Sequence, residues 1–317
     1  MVQVTYLLTS ILLAGNALAF PLEDEIIDID HASEMAKKKS KPISKPLDQK
    51  LFDRLVFMEQ YASAAYCKSQ QSTPGNLVTC KSKTCDLVTA ANATTAIEYE
   101  RKDLSTDVTG FVALDPTNKL IVVSFRGTNT IANWITNLSF DQVATHLCPK
   151  CTAHRGFWQS WLDSRTAILT AVYAIQKQNP KYQIVTMGHS LGGAIAQLAA
   201  ADLRFTYKLK VEAYSYGSPR IAGHELSEFI TKQGDNYRVT HYNDIVPDVP
   251  KIGMGYEHVS PEYHIEEATG VPVLPKHINI FEGTRSLEGN ARHMWMTVNA
   301  HMWYFNWISA CTGMVKM

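Results

Sequence analysis

The chain has 317 residues, with 30 Lys and Arg against 30 Asp and Glu, so its formal net charge is zero. That balance supplies neither the basic footprint of a nucleic-acid binder nor a polybasic membrane patch, and it points to a small or neutral partner. Residues 1 to 19 contain the apolar run "VTYLLTSILLAGNALA" and end in Ala17-Leu18-Ala19, which reads as a signal peptide cleaved before Phe20. The expected location is therefore extracellular. The n-region has no Lys or Arg, so a signal anchor is the alternative reading of that segment. No later stretch is long and apolar enough to span a bilayer, and the mature chain is expected to carry no transmembrane segment.

Residues 20 to 48 place an acidic block before a lysine and proline block, with few large apolar residues after Ile29, and read as a propeptide or disordered tail. Residues 49 to 317 suit a single domain, expected as a monomer. Within it, Leu51, Leu55, Met58, Tyr61 and Ala65 recur at helical spacing and predict a helix over 51–67. "TGFVALD" (109–115) and "KLIVVSFRG" (119–127) predict two strands joined by a turn at Asp115-Pro116. A helix is predicted from 157 to about 178, stopped by Asn179-Pro180. A buried strand over 182–187 and a helix over 191–205 follow. "KVEAYSYGSP" (210–219) and "YRVTHYNDIVP" (237–247) read as strands, with a helix near 223–233 between them. Strands alternating with helices predict an α/β fold: a central, mostly parallel sheet with helices on both faces.

Six cysteines, at 67, 80, 85, 148, 151 and 311, remain after the signal peptide. An even count in an exported chain predicts three disulfides, among fifteen possible pairings. Cys148-Pro-Lys-Cys151 has no second C-x-x-C or paired histidines beside it, so a redox or zinc role is not favoured, and no metal or other cofactor is expected.

The segment "VTMGHSLGGA" (185–194) sets Ser190 between Gly188 and Gly192, after an apolar strand and before an alanine-rich helix. Residues without a Cβ allow the chain to reverse sharply and leave a serine hydroxyl at the apex, the nucleophile elbow of a hydrolase. Taken alone, G-x-S-x-G fits an ordinary strand–turn–helix as well. A serine nucleophile needs a histidine to accept its proton and a carboxylate to hold that histidine, in the chain order Ser, Asp or Glu, His. Asp244, just past a strand end, is the leading acid, with Asp248 as its rival. Five histidines follow, at 258, 264, 277, 293 and 301, and their order does not choose among them. His301 lies among aromatic residues that suit either a dry pocket or a core.

The segments "VSFRGTNTIANWITNL", "GHSLGGA", "SYGSPR", "THYNDIVPDVP", "YEHVSPEY" and "AHMWYF" occur in this order. From about Leu51 to Cys311, the chain resembles the secreted filamentous-fungal class 3 triacylglycerol lipases of the Thermomyces and Rhizomucor type. The resemblance implies an α/β-hydrolase with Ser190 as nucleophile, Asp244 as carboxylate and His301 as base. It also implies an oxyanion hole from the backbone N–H groups of Thr128 and Leu191, aided by the Thr128 hydroxyl. His189 and His258, beside these motifs, are read as structural. The implied disulfides are Cys67–Cys311, Cys80–Cys85 and Cys148–Cys151.

Ile131, Trp134, Ile135 and Leu138 fall at i, i+3, i+4 and i+7, one apolar stripe with Asn133, Thr136 and Asn137 facing away. Such a stripe suits a helix docked permanently on a core. By the resemblance it is a lid that covers the serine when closed and meets lipid when open, with Trp134 as an anchor.

The expected function is a secreted triacylglycerol lipase that hydrolyses lipid esters at an oil–water interface, with transient lipid-surface contact. A feruloyl esterase or a phospholipase on the same scaffold is the alternative, and a non-catalytic binding protein the remote one. Asn92 and Asn137 head sequons that permit N-glycosylation.

Overall fold

The computed structural model describes residues 46–67, 74–100 and 106–313. The expected signal peptide and residues 20–45 of the expected propeptide lie outside them. Leu47 is already buried, and Asp48 accepts a hydrogen bond from Leu51 N (3.2 Å) to cap the first helix, α1 (Gln49–Ala64). Leu55, Met58, Tyr61 and Ala62 form the face that α1 buries.

In chain order, α2 (Asp86–Ala90) precedes three strands: β1 (Thr94–Glu100), β2 (Thr109–Asp115) and β3 (Leu120–Phe125). β2 and β3 are the two strands predicted there, antiparallel and joined at Asp115↔Leu120 across the Pro116 turn. β1 is an addition to the sequence reading. Its pairing with β2 is interrupted between Thr95 and Ile97, and most of its side chains are only half-buried, so it lacks a clean period of two. A short helix, α3 (Ile131–Thr136), leads to a small hairpin of β4 (Gln142–Ala144) and β5 (Thr152–His154). Helix α4 (Arg155–Gln178) ends before Pro180, as its sequence predicts.

β6 (Gln183–His189), α5 (Leu191–Phe205), β7 (Val211–Tyr216), α6 (His224–Gln233) and β8 (Asn236–His241) then alternate. β9 (Glu262–Ile265), β10 (Ile278–Phe281) and α7 (Val298–His301) follow. The main sheet runs β1-β2-β3-β6-β7-β8-β9-β10. Neighbours from β3 to β9 are parallel, and the pairs β1–β2, β2–β3 and β9–β10 are antiparallel. β9 and β10 are too short, and β9 too rich in Glu and His, to show as apolar runs.

Side chains alternate between two cores, as strand geometry requires. Ile121, Val123, Ile184 and Ala213 pack against Trp161, Ile168 and Leu198 of the α4 and α5 layer. Val122, Val185, Met187, Tyr214 and Tyr216 pack against Leu55, Met58 and Tyr61 of α1 on the opposite face. Helices thus cover both faces of an α/β-hydrolase sheet. Among the described residues no helix is long and apolar enough to cross a membrane. Disulfides join Cys67 to Cys311, Cys80 to Cys85 and Cys148 to Cys151, the first tying the end of α1 to the last turn of the domain. The parallel order puts the loops after β3, β6, β7 and β8 on one rim, the carboxyl edge where such sheets hold their sites.

Candidate active site

Ser190 occupies the turn between β6 and α5 with φ +58° and ψ −127°, a conformation that a residue with a Cβ rarely adopts. It persists because its surroundings hold it. Ser190 N donates to Tyr216 O (2.9 Å), and Ser190 O accepts from Ala194 N (3.2 Å). The flanking glycines are sterically required: a Cβ on Gly188 would collide with the backbone of Gly192, and one on Gly192 with the Phe125 carbonyl. The Ser190 side chain is buried, and its Oγ has no hydrogen-bond partner among the described residues.

Asp244 lies in the turn after β8. Its Oδ1 accepts from Val246 N (2.8 Å), its Oδ2 from His301 Nδ1 (2.8 Å) and from the Tyr304 hydroxyl (2.6 Å). Its main-chain carbonyl accepts from Asn290 Nδ2 (2.9 Å). His301 ends α7, whose start is capped by Thr297 Oγ1 accepting from Ala300 N (3.1 Å). Both partners are fully buried. A carboxylate only accepts, so Nδ1 of His301 is the donor of this bond, and in the neutral ring Nε2 then keeps its lone pair. That Nε2, like Ser190 Oγ, is buried without a hydrogen-bond partner among the described residues.

Gly217, after β7, has φ +57°, and a Cβ there would stand 2.9 Å from both Asp244 Oδ2 and His301 Nδ1. His189 packs its ring 4.3 Å from that of His301 and meets the His301 carbonyl through Nε2 (2.9 Å). A carbonyl requires a donor, so His189 Nδ1 accepts from the Tyr66 hydroxyl (2.8 Å). Burial, then the neighbouring His301, keeps the His189 pKa well below its ordinary value, so the ring is neutral. Burial and the Asp244 charge push the Tyr304 phenol well above its ordinary value, which keeps it a donor.

Thr128 lies on the loop after β3. A Cβ on its neighbour Gly127 would approach His189 O to 2.7 Å and Ser190 Cβ to 3.1 Å, so this loop is pressed against the elbow. Thr128 and Leu191 both line a cleft of about 760 Å³, together with Trp134, Leu138, Phe157 and Ile195. The α3 stripe faces inward. Ile131 is buried against Val246 and Met302 with Ile135 beside it, while Trp134 stacks on Phe157 at 6.2 Å. Asn133, Thr136 and Asn137 are exposed, as is Asn92.

The structure separates the rivals. Asp248 faces Arg220 (3.6 Å) and Lys251 and takes no part in this cluster. His258 is buried on the Pro247 carbonyl (2.7 Å), His264 on Thr240 Oγ1 (2.9 Å), and His277 near Glu267 (3.3 Å). His293 packs beside Tyr242. Sequence reasoning did not single out Tyr304, Gly217, Asn290 or Tyr66. Gly217 and Tyr304 stand inside the segments "SYGSPR" and "AHMWYF", where a glycine after a strand and a phenol three residues past a histidine were the available signals. Asn290 and Tyr66 carry no local signal.

The family model for class 3 lipases matches residues 122–254. Secreted mono- and diacylglycerol lipase A of Penicillium cyclopium is 37% identical over 265 residues, 82% of this chain and 87% of that protein. Secreted mono- and diacylglycerol lipase 1 of Fusarium solani is 36% identical, over 80% of this chain and 76% of that one. The crystal structure of mono- and diacylglycerol lipase from Aspergillus oryzae superposes with a TM-score of 0.79 at 40% identity, covering 84% of this chain and all of that one. The chain belongs to the class 3 lipase family and is a secreted carboxylic ester hydrolase of the α/β-hydrolase fold.

Proposed function

We propose that this lipase hydrolyses acylglycerol esters at a lipid–water interface through an acyl-enzyme formed on Ser190. His301 Nε2 takes the Ser190 proton as Oγ attacks the ester carbonyl carbon, and Asp244 stabilises the resulting imidazolium. The N–H groups of Thr128 and Leu191 receive the oxyanion, an interaction that strengthens as charge develops. His301 then protonates the departing glycerol oxygen, activates a water to release the fatty acid, and returns the proton to Ser190.

The observation that carries this reading is the 2.8 Å bond from His301 Nδ1 to Asp244, with the ring of His189, the residue before Ser190, packed 4.3 Å from that of His301. In this reading α3 is the lid. Its inward stripe over the cleft supports an ester carried in a lipid phase, since a dissolved feruloyl ester has no use for an apolar cover. Triacylglycerol is the leading substrate. A preference for mono- and diacylglycerols is the second reading, favoured by relatives at 36–40% identity that are named mono- and diacylglycerol lipases.

Rates on triolein, diolein and monoolein emulsions, beside methyl ferulate and dispersed phosphatidylcholine, test both. Acylglycerol turnover is expected to dominate, and Ser190→Ala, Asp244→Asn and His301→Ala to fold while losing several orders of magnitude non-additively. Strong methyl ferulate turnover without emulsion activity would reassign the protein as a soluble esterase.

A further inference from the structure

Met294 and Trp295 are the two most exposed large apolar side chains among the described residues, at 87% and 82% of full exposure. They are adjacent, and they sit on the segment that runs into the α7 histidine. Their backbone is not loose. The Trp295 carbonyl accepts from Asn243 Nδ2 (2.9 Å), and Thr297 N donates to Asn243 O (2.9 Å). Ile245 N donates in turn to Thr297 O (3.3 Å), so residues 295–297 are strapped along the loop that carries Asp244.

That loop lies at the carboxyl rim of the sheet, and its Val246 packs against Ile131 of α3. Met294 and Trp295 therefore share the rim with the inward stripe of α3. Tyr242, next to Asn243, is also partly exposed at 36%. Residues 294 to 300 contain no charged side chain, and Arg292 just before them is paired with Glu266.

We infer that Met294 and Trp295 form a fixed lipid anchor on the body of the enzyme, which docks an uncharged lipid surface before and independently of any movement of α3. This rests on the proposed function. A tryptophan held in water gains nothing in the isolated protein, whereas its amphipathic ring suits the boundary between lipid and water. The absence of charge in the segment favours a neutral surface over an anionic one. Trp134 differs, because it is half-buried on Phe157 and reaches lipid only if α3 moves.

The test reads binding without chemistry. In a Ser190→Ala background, affinity for phosphatidylcholine vesicles carrying diolein is compared among the parent, Met294→Ser/Trp295→Ser and Trp295→Phe. The double change is expected to weaken binding about tenfold or more, and Phe to restore most of it, since an apolar side chain of this size is worth at least that factor between water and lipid. Brominated lipid is expected to quench a component of emission that Trp295→Phe lacks. In the active enzyme, the double change is expected to reduce emulsion hydrolysis at least tenfold more than hydrolysis of a dissolved short-chain ester. Unchanged vesicle affinity with unquenched Trp295 overturns the anchor, as does sedimentation showing the pair buried in a dimer that Trp295→Ser dissociates. Failure of the proposed function would register separately, as ester hydrolysis that survives Ser190→Ala.

Discussion

Tyr304 donates its hydroxyl to Asp244 Oδ2 over 2.6 Å, the same oxygen that receives the His301 Nδ1 proton. With Val246 N on Oδ1, the carboxylate is held by three donors inside a site closed to solvent. A buried carboxylate that loses one donor is both less well oriented and less stabilised. Tyr304→Phe is expected to fold and to lower kcat about tenfold with little change in KM. An unchanged kcat would reduce Tyr304 to packing.

Gly217 sets the spacing of that pair from the other side. Gly217→Ala introduces both left-handed strain and a Cβ 2.9 Å from Asp244 and His301, whereas Gly270→Ala, also at positive φ, meets open space. Strain alone costs about 1 kcal/mol or somewhat more. Both variants are expected to lose stability in thermal melts. Only Gly217→Ala is expected to lose activity, by about a hundredfold, since small displacements of reacting groups are costly.

For the lid, activity per enzyme is expected to rise sharply when tributyrin passes its solubility limit. On the proposed lid mechanism, opening α3 would expose Ile131, Trp134, Ile135 and Leu138, each worth up to about 1.5–3 kcal/mol between water and an apolar phase, and lipid would remove that cost. Trp134→Ala is expected to lose more activity on droplets than on dissolved tributyrin. A smooth saturation curve with equal losses on both would sink the lid.

The Cys67–Cys311 link spans 244 residues, and Cys80–Cys85 only 5. In the chain-entropy account the long closure contributes about 5.5 kcal/mol and the short one about 2. Denaturant melts are expected to show the Cys67→Ser/Cys311→Ser variant less stable than Cys80→Ser/Cys85→Ser by about that difference. The reverse order would show that strain or residual structure outweighs loop length.

Acid should destabilise the protein through its buried histidines. Burial first holds His189, His241 and His258 below their ordinary pKa, and moves His264 down to about 4. The unfolded chain therefore binds more protons, so the stability these groups contribute is complete above about pH 6.5 and is lost as pH falls. Buried Glu59 acts in the opposite sense, because burial raises its pKa. The expected result is a melting temperature that drops from pH 7 to pH 5, as the unfolding free energy falls with a slope approaching about 1.4 kcal/mol per pH unit for each histidine. His258→Gln should flatten that slope; an unaltered slope would exclude His258 as a contributor.

Several features were legible in the residues alone because their causes act within a few positions. Gly188 and Gly192 announce a turn that only glycine tolerates, Asn179-Pro180 stops α4, apolar runs place β2, β3 and β6, and strand patterns ended by Pro and turn residues place β7 and β8. Resemblance over separated motifs also named Asp244 and His301, where spacing left two acids and five histidines open. Tertiary structure decided the rest. Asp244 reaches His301 across 57 residues, and Asp248 is diverted to Arg220, by the way β8 and the chain beyond it pack rather than by any local preference. The same packing sets Tyr304 on Asp244, Tyr66 on His189 and Asn243 on Trp295. Local sterics and periodicity are written residue by residue, whereas a hydrogen bond between distant side chains exists only after burial has brought both to one place and removed the water that would otherwise satisfy them.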